Sequence, residues 1–254
     1  MDFETILVDI RKQVGVIRLN RPRVLNAMNR QLWMEMMDAL DALDRNNEVK
    51  ALIITGSGRA FSSGADLKDS KDRSIEDYRL YLESLQEASR KIVRFEKPII
   101  AAVNGYALGS GYELALACDI RIAADTAMIG SPEARVTSSV TGGAFRLLQD
   151  LVGPGKAKEL LFTAENITGE EACRIGLVNK SVPLEHLMDE AFAMADKISA
   201  NSSFSLKMIK KGLGLAAGET SLEALMDYEI EACLACVSTK ERQASLDEFA
   251  GRKN

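Results

Sequence analysis

Histidine is almost absent: His186 is the single one in 254 residues. Mechanisms that need two histidines, including most catalytic zinc sites, are excluded. A Ser-His-Asp triad would have to use His186, which stands in Pro183-Leu184-Glu185-His186, a segment that reads as the solvated start of a surface helix. Acid–base chemistry is therefore expected from carboxylates. An excess of positive charge is also missing, with 32 Lys+Arg against 37 Asp+Glu and a net charge of −5. That balance argues against a surface built to neutralise nucleic-acid phosphates. No apolar run approaches the roughly 18–20 residues of a membrane span. Met1-Asp2-Phe3-Glu4 lacks the basic-then-apolar order of a secretory signal. A reducing cytoplasmic setting is the default expectation, although a mitochondrial protein relieved of its transit peptide would look the same. Cysteines number four: Cys118, Cys173, Cys233 and Cys236. Cys233-Leu-Ala-Cys236 has a CxxC spacing, but no second pair and no nearby histidine complete a zinc site. The pair reads as two buried cysteines one helical turn apart, and no metal site is expected.

What is present suits a globular α/β protein. Hydrophobic residues at 46% and charged residues at 27% are ordinary for a domain with a real core, and the length allows one large domain or a domain plus a helical appendage. Residues 4–10 and 14–19 read as a hairpin. Asn29 looks like an N-cap, with Leu32, Met36, Leu40 and Leu43 recurring at helical spacing behind it. Residues 51–55 and 99–103 are short apolar strands separated by an amphipathic helix over 74–95. A short apolar helix over 111–118 leads to a strand over 119–124. Beyond about residue 142 helices dominate, with only Gly176-Leu-Val-Asn179 patterned as a strand. Strands alternate with helices in the first half and helices accumulate in the second, which predicts an α/β core with a C-terminal helical part.

Three glycine-bearing stretches could approach a ligand. Gly56-Ser-Gly58 lacks the third glycine of a dinucleotide fingerprint, and Gly153-Pro-Gly155-Lys156 lacks the remainder of a phosphate loop. Both read as turns. Asn104-Gly105-Tyr-Ala-Leu-Gly109-Ser110-Gly111 differs, because it joins a buried strand to a short helix whose first N–H groups are unpaired. Those donors suit a phosphate or a carbonyl oxygen that develops negative charge, while a close strand–helix packing turn explains the glycines equally well. Phe61-Ser-Ser-Gly64-Ala65-Asp66 is another small-residue bend past a buried strand and can offer a free N–H. Glu113 lies in an otherwise apolar helix, where burial raises its pKa, and Glu133 follows Pro132 twenty residues on. Two carboxylates beside two such donors suit proton transfer next to a polarised carbonyl. The plain alternative pairs Glu113 with an arginine such as Arg121 and makes Glu133 a helix cap.

Taken in order, these stretches resemble the crotonase superfamily, the enoyl-CoA hydratase/isomerase family, over essentially the whole chain. The matching runs are Asn20-Arg-Pro-Arg-Val-Leu-Asn-Ala-Met28, Phe61 to Leu67, Lys97-Pro98 through Gly111, Glu113-Leu-Ala, Cys118-Asp-Ile-Arg-Ile-Ala, Gly130-Ser-Pro-Glu133 and Ala172-Cys-Arg-Ile-Gly-Leu-Val-Asn179. The resemblance implies a spiral of ββα units over residues 1–200, carrying the acyl-CoA site. It implies a C-terminal helical oligomerisation region over 201–254, forming homotrimers that commonly pair into hexamers. By position, the backbone N–H groups of Ala65 and Ser110 correspond to an oxyanion hole, although glycine is the usual occupant where Ser110 stands. Glu113 and Glu133 match the two catalytic glutamates of hydratases. Arg23, Val24 and Leu25, with Ala65, Asp66, Leu67 and Lys68, match segments that bind coenzyme A, and Phe249 matches a C-terminal part that reaches the CoA of a neighbouring subunit. One stretch departs from the pattern. After the second glutamate, hydratases usually carry Gly-Thr-apolar-Pro-Gly before a Gly-Gly pair. This chain reads Ala134-Arg-Val-Thr137-Ser-Ser-Val-Thr141-Gly142-Gly143, without the proline and one residue shorter.

The resemblance thus implies addition of water across the 2,3 double bond of an enoyl-CoA thioester, with no cofactor beyond the CoA of the substrate itself. Related isomerases keep a glutamate at the Glu133 position and lack the one at Glu113, so the presence of both favours hydration. Decarboxylases, dehalogenases and thioester hydrolases share the scaffold. A non-catalytic or RNA-associated role is disfavoured by the acidic balance, even though Lys207, Lys210 and Lys211 cluster at helical spacing.

Overall fold

In the computed structural model the chain is described at residues 3–66 and 74–218, with Met226, Tyr228 and Glu231 beyond them. The described residues fall into two compact units, one ending at Ile198 and the other beginning at Ser199. The first unit opens with β1 (Ile6–Arg11) and β2 (Val14–Leu19), an antiparallel hairpin with Ile6 opposite Leu19. Helix α1 (Arg30–Arg45) follows, and its N-cap Asn29 accepts the Leu32 N–H at 3.0 Å. Then come β3 (Ala51–Gly56), β4 (Ala60–Ser62) and α2 (Ile75–Arg94), the last N-capped by Ser74. Next are β5 (Ile99–Val103), β6 (Tyr106–Leu108) and α3 (Ser110–Ala117), followed by β7 (Ile120–Ala124), β8 (Met128–Gly130) and α4 (Ala144–Thr163). β9 (Ile167–Thr168), α5 (Gly169–Arg174), β10 (Lys180–Val182) and α6 (Leu187–Ser199) complete the series.

Six strands form one sheet in the order β1-β2-β3-β5-β7-β10, and four form a smaller one in the order β4-β6-β8-β9. Beyond the first hairpin the large sheet is parallel, and the small sheet is parallel except at β8–β9. Three times in succession a large-sheet strand leads into a small-sheet strand and then a helix: β3-β4-α2, β5-β6-α3 and β7-β8-α4. This is the spiral of ββα units.

Period-two alternation explains why the central strands are apolar throughout. Ile17, Leu19, Leu52, Ile54, Ile99, Ala101 and Val103 face one core, with Leu32, Met36, Leu40 and Leu43 of α1. Val14, Val16, Ala51, Ile53, Ile100 and Ala102 face the other, with Leu187, Ala191 and Ala195 of α6. A parallel sheet covered on both faces needs apolar side chains on both.

Three sequence expectations need correction. The strand expected at Gly176-Leu-Val-Asn179 lies one step later, at Lys180–Val182. Leu177 and Val178 are apolar because they are buried in the turn before it. The stretch Gly153-Pro-Gly155 is a kink inside α4 rather than an isolated turn: Gly153 leaves the helical region at φ 76°, ψ 161°, and Pro154 resumes the helix. Strands β4 and β6 fall where only loops were expected, and β9 falls where helices were expected to dominate.

The second unit contains α7 (Ser203–Ala216), N-capped by Ser202. Ile209 and Leu213 are exposed on it, and the Tyr228 hydroxyl donates to the Met208 carbonyl at 2.7 Å. Cys233, Cys236 and the apolar positions Leu222, Leu225, Ile230 and Leu234 lie outside the described residues. Among the described residues no helix is long and apolar enough to cross a membrane.

Candidate active site

The turn between β3 and β4 is held from two sides by asparagine amides. Asn26, fully buried, donates to the carbonyls of Ser57 at 3.0 Å and Ala60 at 2.8 Å. Asn104, at the end of β5, donates to the Gly58 carbonyl at 2.9 Å and accepts the Gly56 N–H at 3.0 Å. These bonds fix where the chain leaves β4. Ser62 Oγ donates to the Asn26 carbonyl at 2.9 Å, and Ser63 N–H to the Leu25 carbonyl at 2.9 Å. A single β-bridge follows, with Met28 N–H donating to Gly64 at 2.8 Å and Asp66 N–H donating back to Met28 at 3.2 Å. Arg21 closes the arrangement with an ion pair to Asp66 at 2.9 Å and a bond to the Ala27 carbonyl. The segments 23–25 and 65–66, both singled out for CoA, are thereby laid side by side. Arg23 and Val24 are exposed, while Leu25, Ala65 and Asp66 are half-buried. Leu67, Lys68 and Phe249 lie outside the described residues.

The same bridge orients the first candidate donor. Met28 is bonded through the Gly64 carbonyl and the Asp66 N–H, so the N–H of Ala65 between them points away from Met28. Ser110 begins α3, and its N–H precedes the first intrahelical bond, from Glu113 N–H to the Gly109 carbonyl at 2.9 Å. Among the described residues neither N–H donates to a backbone carbonyl. The two loops touch: a β-carbon on Gly64, whose φ is +98°, would lie 3.4 Å from the Ser110 nitrogen and 2.8 Å from the Leu108 carbonyl oxygen. Glycine is needed there for the backbone angle and for the approach.

Glu113 sits in the first turn of α3 and is only 6% exposed. Its two carboxylate oxygens accept from the N–H and, at 2.7 Å, the hydroxyl of Thr141. Burial pushes its pKa above the usual carboxylate value, the Thr141 bonds oppose that rise, and the charge of Glu133 adds to it. Arg121 is not its partner. That arginine is itself buried, and it donates to the Leu177 carbonyl at 2.9 Å and to the carbonyls of Ala115, Leu116 and Cys118 at the C-terminal end of α3. Glu133 opens a 3-10 turn (Glu133–Val136) after β8 and is half-buried. One carboxylate oxygen accepts from Ser131 Oγ, and the other lies against Gly109, where an added β-carbon would come within 2.6 Å. Gly109 N–H donates to the Gly130 carbonyl at 3.2 Å, which ties the start of α3 to the strand that carries Glu133. Tyr112 is buried beside the pair, and burial raises its phenol pKa. The two carboxylates thus stand in unlike surroundings, Glu113 buried in a helix and Glu133 half-buried in a 3-10 turn.

Four supporting residues escaped the sequence reading: Asn26, Asn104, Ser131 and Thr141. The asparagines were legible only as parts of motifs. Ser131 and Thr141 carried no signal, because a hydroxyl's partner depends on tertiary placement. His186 is exposed and ends a 3-10 turn (Leu184–His186).

Comparisons with known proteins show the family and the fold. The profile of the family described as enoyl-CoA hydratase/isomerase matches residues 9–254. The chain is 36% identical over 254 residues to a short-chain-enoyl-CoA hydratase of Clostridium acetobutylicum, covering 100% of this chain and 97% of that protein. It is 37% identical, with the same coverage, to a crotonyl-CoA hydratase of Syntrophomonas wolfei. Its fold superposes on the crystal structure of an enoyl-CoA hydratase from Bacillus anthracis with a TM-score of 0.95 and 33% identity, covering 98% of this chain and 97% of the other.

Proposed function

The chain belongs to the enoyl-CoA hydratase/isomerase family, and we propose from its site that it hydrates 2-enoyl-CoA thioesters through Glu113 and Glu133. The observation that carries this reading is the pair of unlike carboxylates beside two loops that offer N–H donors. The thioester carbonyl accepts from Ala65 and Ser110, so negative charge that develops on its oxygen is met by fixed dipoles; in other enzymes one such donor contributes about 3–4 kcal/mol. Glu113, whose two oxygens accept from Thr141, acts as the base and takes a proton from water as the water oxygen adds to the β-carbon. Glu133 acts as the acid and delivers a proton to the α-carbon, and the roles exchange in dehydration.

Segments 23–25 and 65–68 bind the CoA moiety in this reading, no cofactor is required, and nucleic acid is not a partner. A homotrimer or homohexamer is the proposed assembly, supported by apolar Ile209, Leu213 and Met226 exposed on the second unit. The proposed setting is the reducing cytoplasm. The test is loss of the enoyl-thioester absorbance across a panel of 2-enoyl-CoA substrates of differing chain length and ring character. Bleaching with 3-hydroxyacyl-CoA as product is the expected result. A protein that only shifts the double bond of a 3-enoyl-CoA refutes hydration.

A further inference from the structure

The segment after Glu133 is shorter than the family pattern and has no proline, and it ends on Thr141. We infer that Thr141 is a positioning residue for the water step, its hydroxyl fixing the orientation of the Glu113 carboxylate. The inference rests on the hydratase reading of the site.

Thr141 touches Glu113 twice, through its N–H and through its hydroxyl at 2.7 Å, one donor to each oxygen. Two donors on one rigid residue set the carboxylate plane, which a single bond leaves free to turn, because the terminal torsion of glutamate is broad. Thr141 is held in turn. Its carbonyl accepts the Ala144 N–H at 2.9 Å, Val140 before it is buried, and Gly142 after it takes φ +62°. A β-carbon on Gly142 would lie 2.9 Å from Ser89 Oγ of α2 and 3.4 Å from the β-carbon of Glu113, so the segment is pressed onto the carboxylate's own stem.

The hydroxyl also favours the ionised carboxylate. It works against burial and against Glu133, the charged group that faces Glu113 from the 3-10 turn; Tyr112 is the titratable neighbour on its own helix. Without the hydroxyl, Glu113 is harder to ionise and less well aimed.

The test compares Thr141→Val, which removes the hydroxyl with little change of shape, and Thr141→Ser, which keeps it. Turnover and KM are measured on a short 2-enoyl-CoA by thioester absorbance, with the pH profile of kcat/KM and the Tm. For Thr141→Val, kcat is expected to fall by about 10- to 100-fold with KM little changed. The acid limb of the profile is expected to move up by about one pH unit. Thr141→Ser recovers most of both. Thr141→Ala replaces the valine variant, with the same expectation, if valine does not fold. A folded Thr141→Val enzyme with normal kcat and an unmoved acid limb overturns the inference. So does a loss that follows Tm alone and is equal in the serine variant. A wild-type enzyme that hydrates no substrate of the panel overturns the hydratase reading and this inference together, whereas normal hydration by wild type and valine variant overturns only the latter.

Discussion

Replacing Glu113 by glutamine keeps the side-chain volume and removes its acid–base function. The structure sets two separate consequences. Thr141 offers two donors to the two carboxylate oxygens. Glutamine can keep its oxygen on the Thr141 N–H and turn its NH2 to the Thr141 hydroxyl, which then accepts, but neither bond is to a charged group any longer. In mild acid, where the carboxyl is protonated, the bonds compared are neutral ones worth about 0.5–1.5 kcal/mol each, and nearer neutrality an amide is less costly to bury than a carboxylate. A net destabilisation of about 1–2 kcal/mol corresponds to a Tm lowered by about 2–8 °C in a domain of this size. The pH dependence has a defined sign. Burial raises the folded pKa above the unfolded value of 4.5. The stability this contributes is fully present below that value and is lost as pH rises through the folded pKa. Glutamine lacks the contribution, so the wild-type margin in Tm is expected to be widest in mild acid and to narrow toward neutrality. Catalysis falls far more, by at least about 100-fold, the lower end for a lost general acid or base. Glu133→Gln behaves likewise, and the double variant loses much less than the product of the two, because the pair works as a unit. The measurement is turnover per folded molecule, with Tm beside it. Lowered Tm with undiminished turnover in Glu113→Gln would make Glu113 a structural group and refute the reasoning.

Other expectations follow from single features. Ser110→Pro removes one oxyanion donor and is expected to cost about 10²–10³-fold in kcat, while Ser110→Ala keeps the donor and most of the activity; abolition by alanine would give the hydroxyl a role in chemistry. Arg121→Ala leaves several buried carbonyls unsatisfied and is expected to destabilise by about 3 kcal/mol or more, read as a Tm drop of about 6 °C or more. An unchanged Tm would show that water replaces the guanidinium. Sedimentation at micromolar concentration is expected to give a trimer or hexamer, and a stable monomer would remove the proposed assembly.

Where one interaction dominates locally, the sequence was readable. The caps Asn29 and Ser74 announce their helices because a side-chain acceptor followed by an apolar repeat has few other uses. Residues 51–55 and 99–103 read as strands because they are apolar on both faces. The small sheet was hidden, since β4, β6 and β9 are two or three residues long and too short to show a period. Gly176-Leu-Val-Asn179 misled because Leu177 and Val178 are apolar for burial, while the pairing that makes a strand begins at Lys180. The positions of Ala65, Ser110, Glu113 and Glu133 were legible from motifs. Their partners were not. Arg121 looked like an ion-pair partner for Glu113, yet the buried carbonyls ending α3 claim it, and Thr141 reaches Glu113 across 28 residues of chain.

The small sheet also acts as a ruler. Its first three strands, β4, β6 and β8, lie side by side in chain order, and within three residues of their ends stand Ala65, Ser110 and Glu133 in that same order. Hydrogen-bonded strands are spaced by about 4.8 Å. Two N–H groups that each approach one oxygen to about 3 Å must themselves lie within about 6 Å. Strand pitch, a property of the backbone and indifferent to side chains, is therefore on the scale of the donor separation that the proposed oxyanion site requires. In the proposed site each turn of the spiral contributes at least one group, and the second contributes both Ser110 and Glu113, so altering a residue on one turn changes the chemistry on offer without resetting the gauge on which the others are mounted.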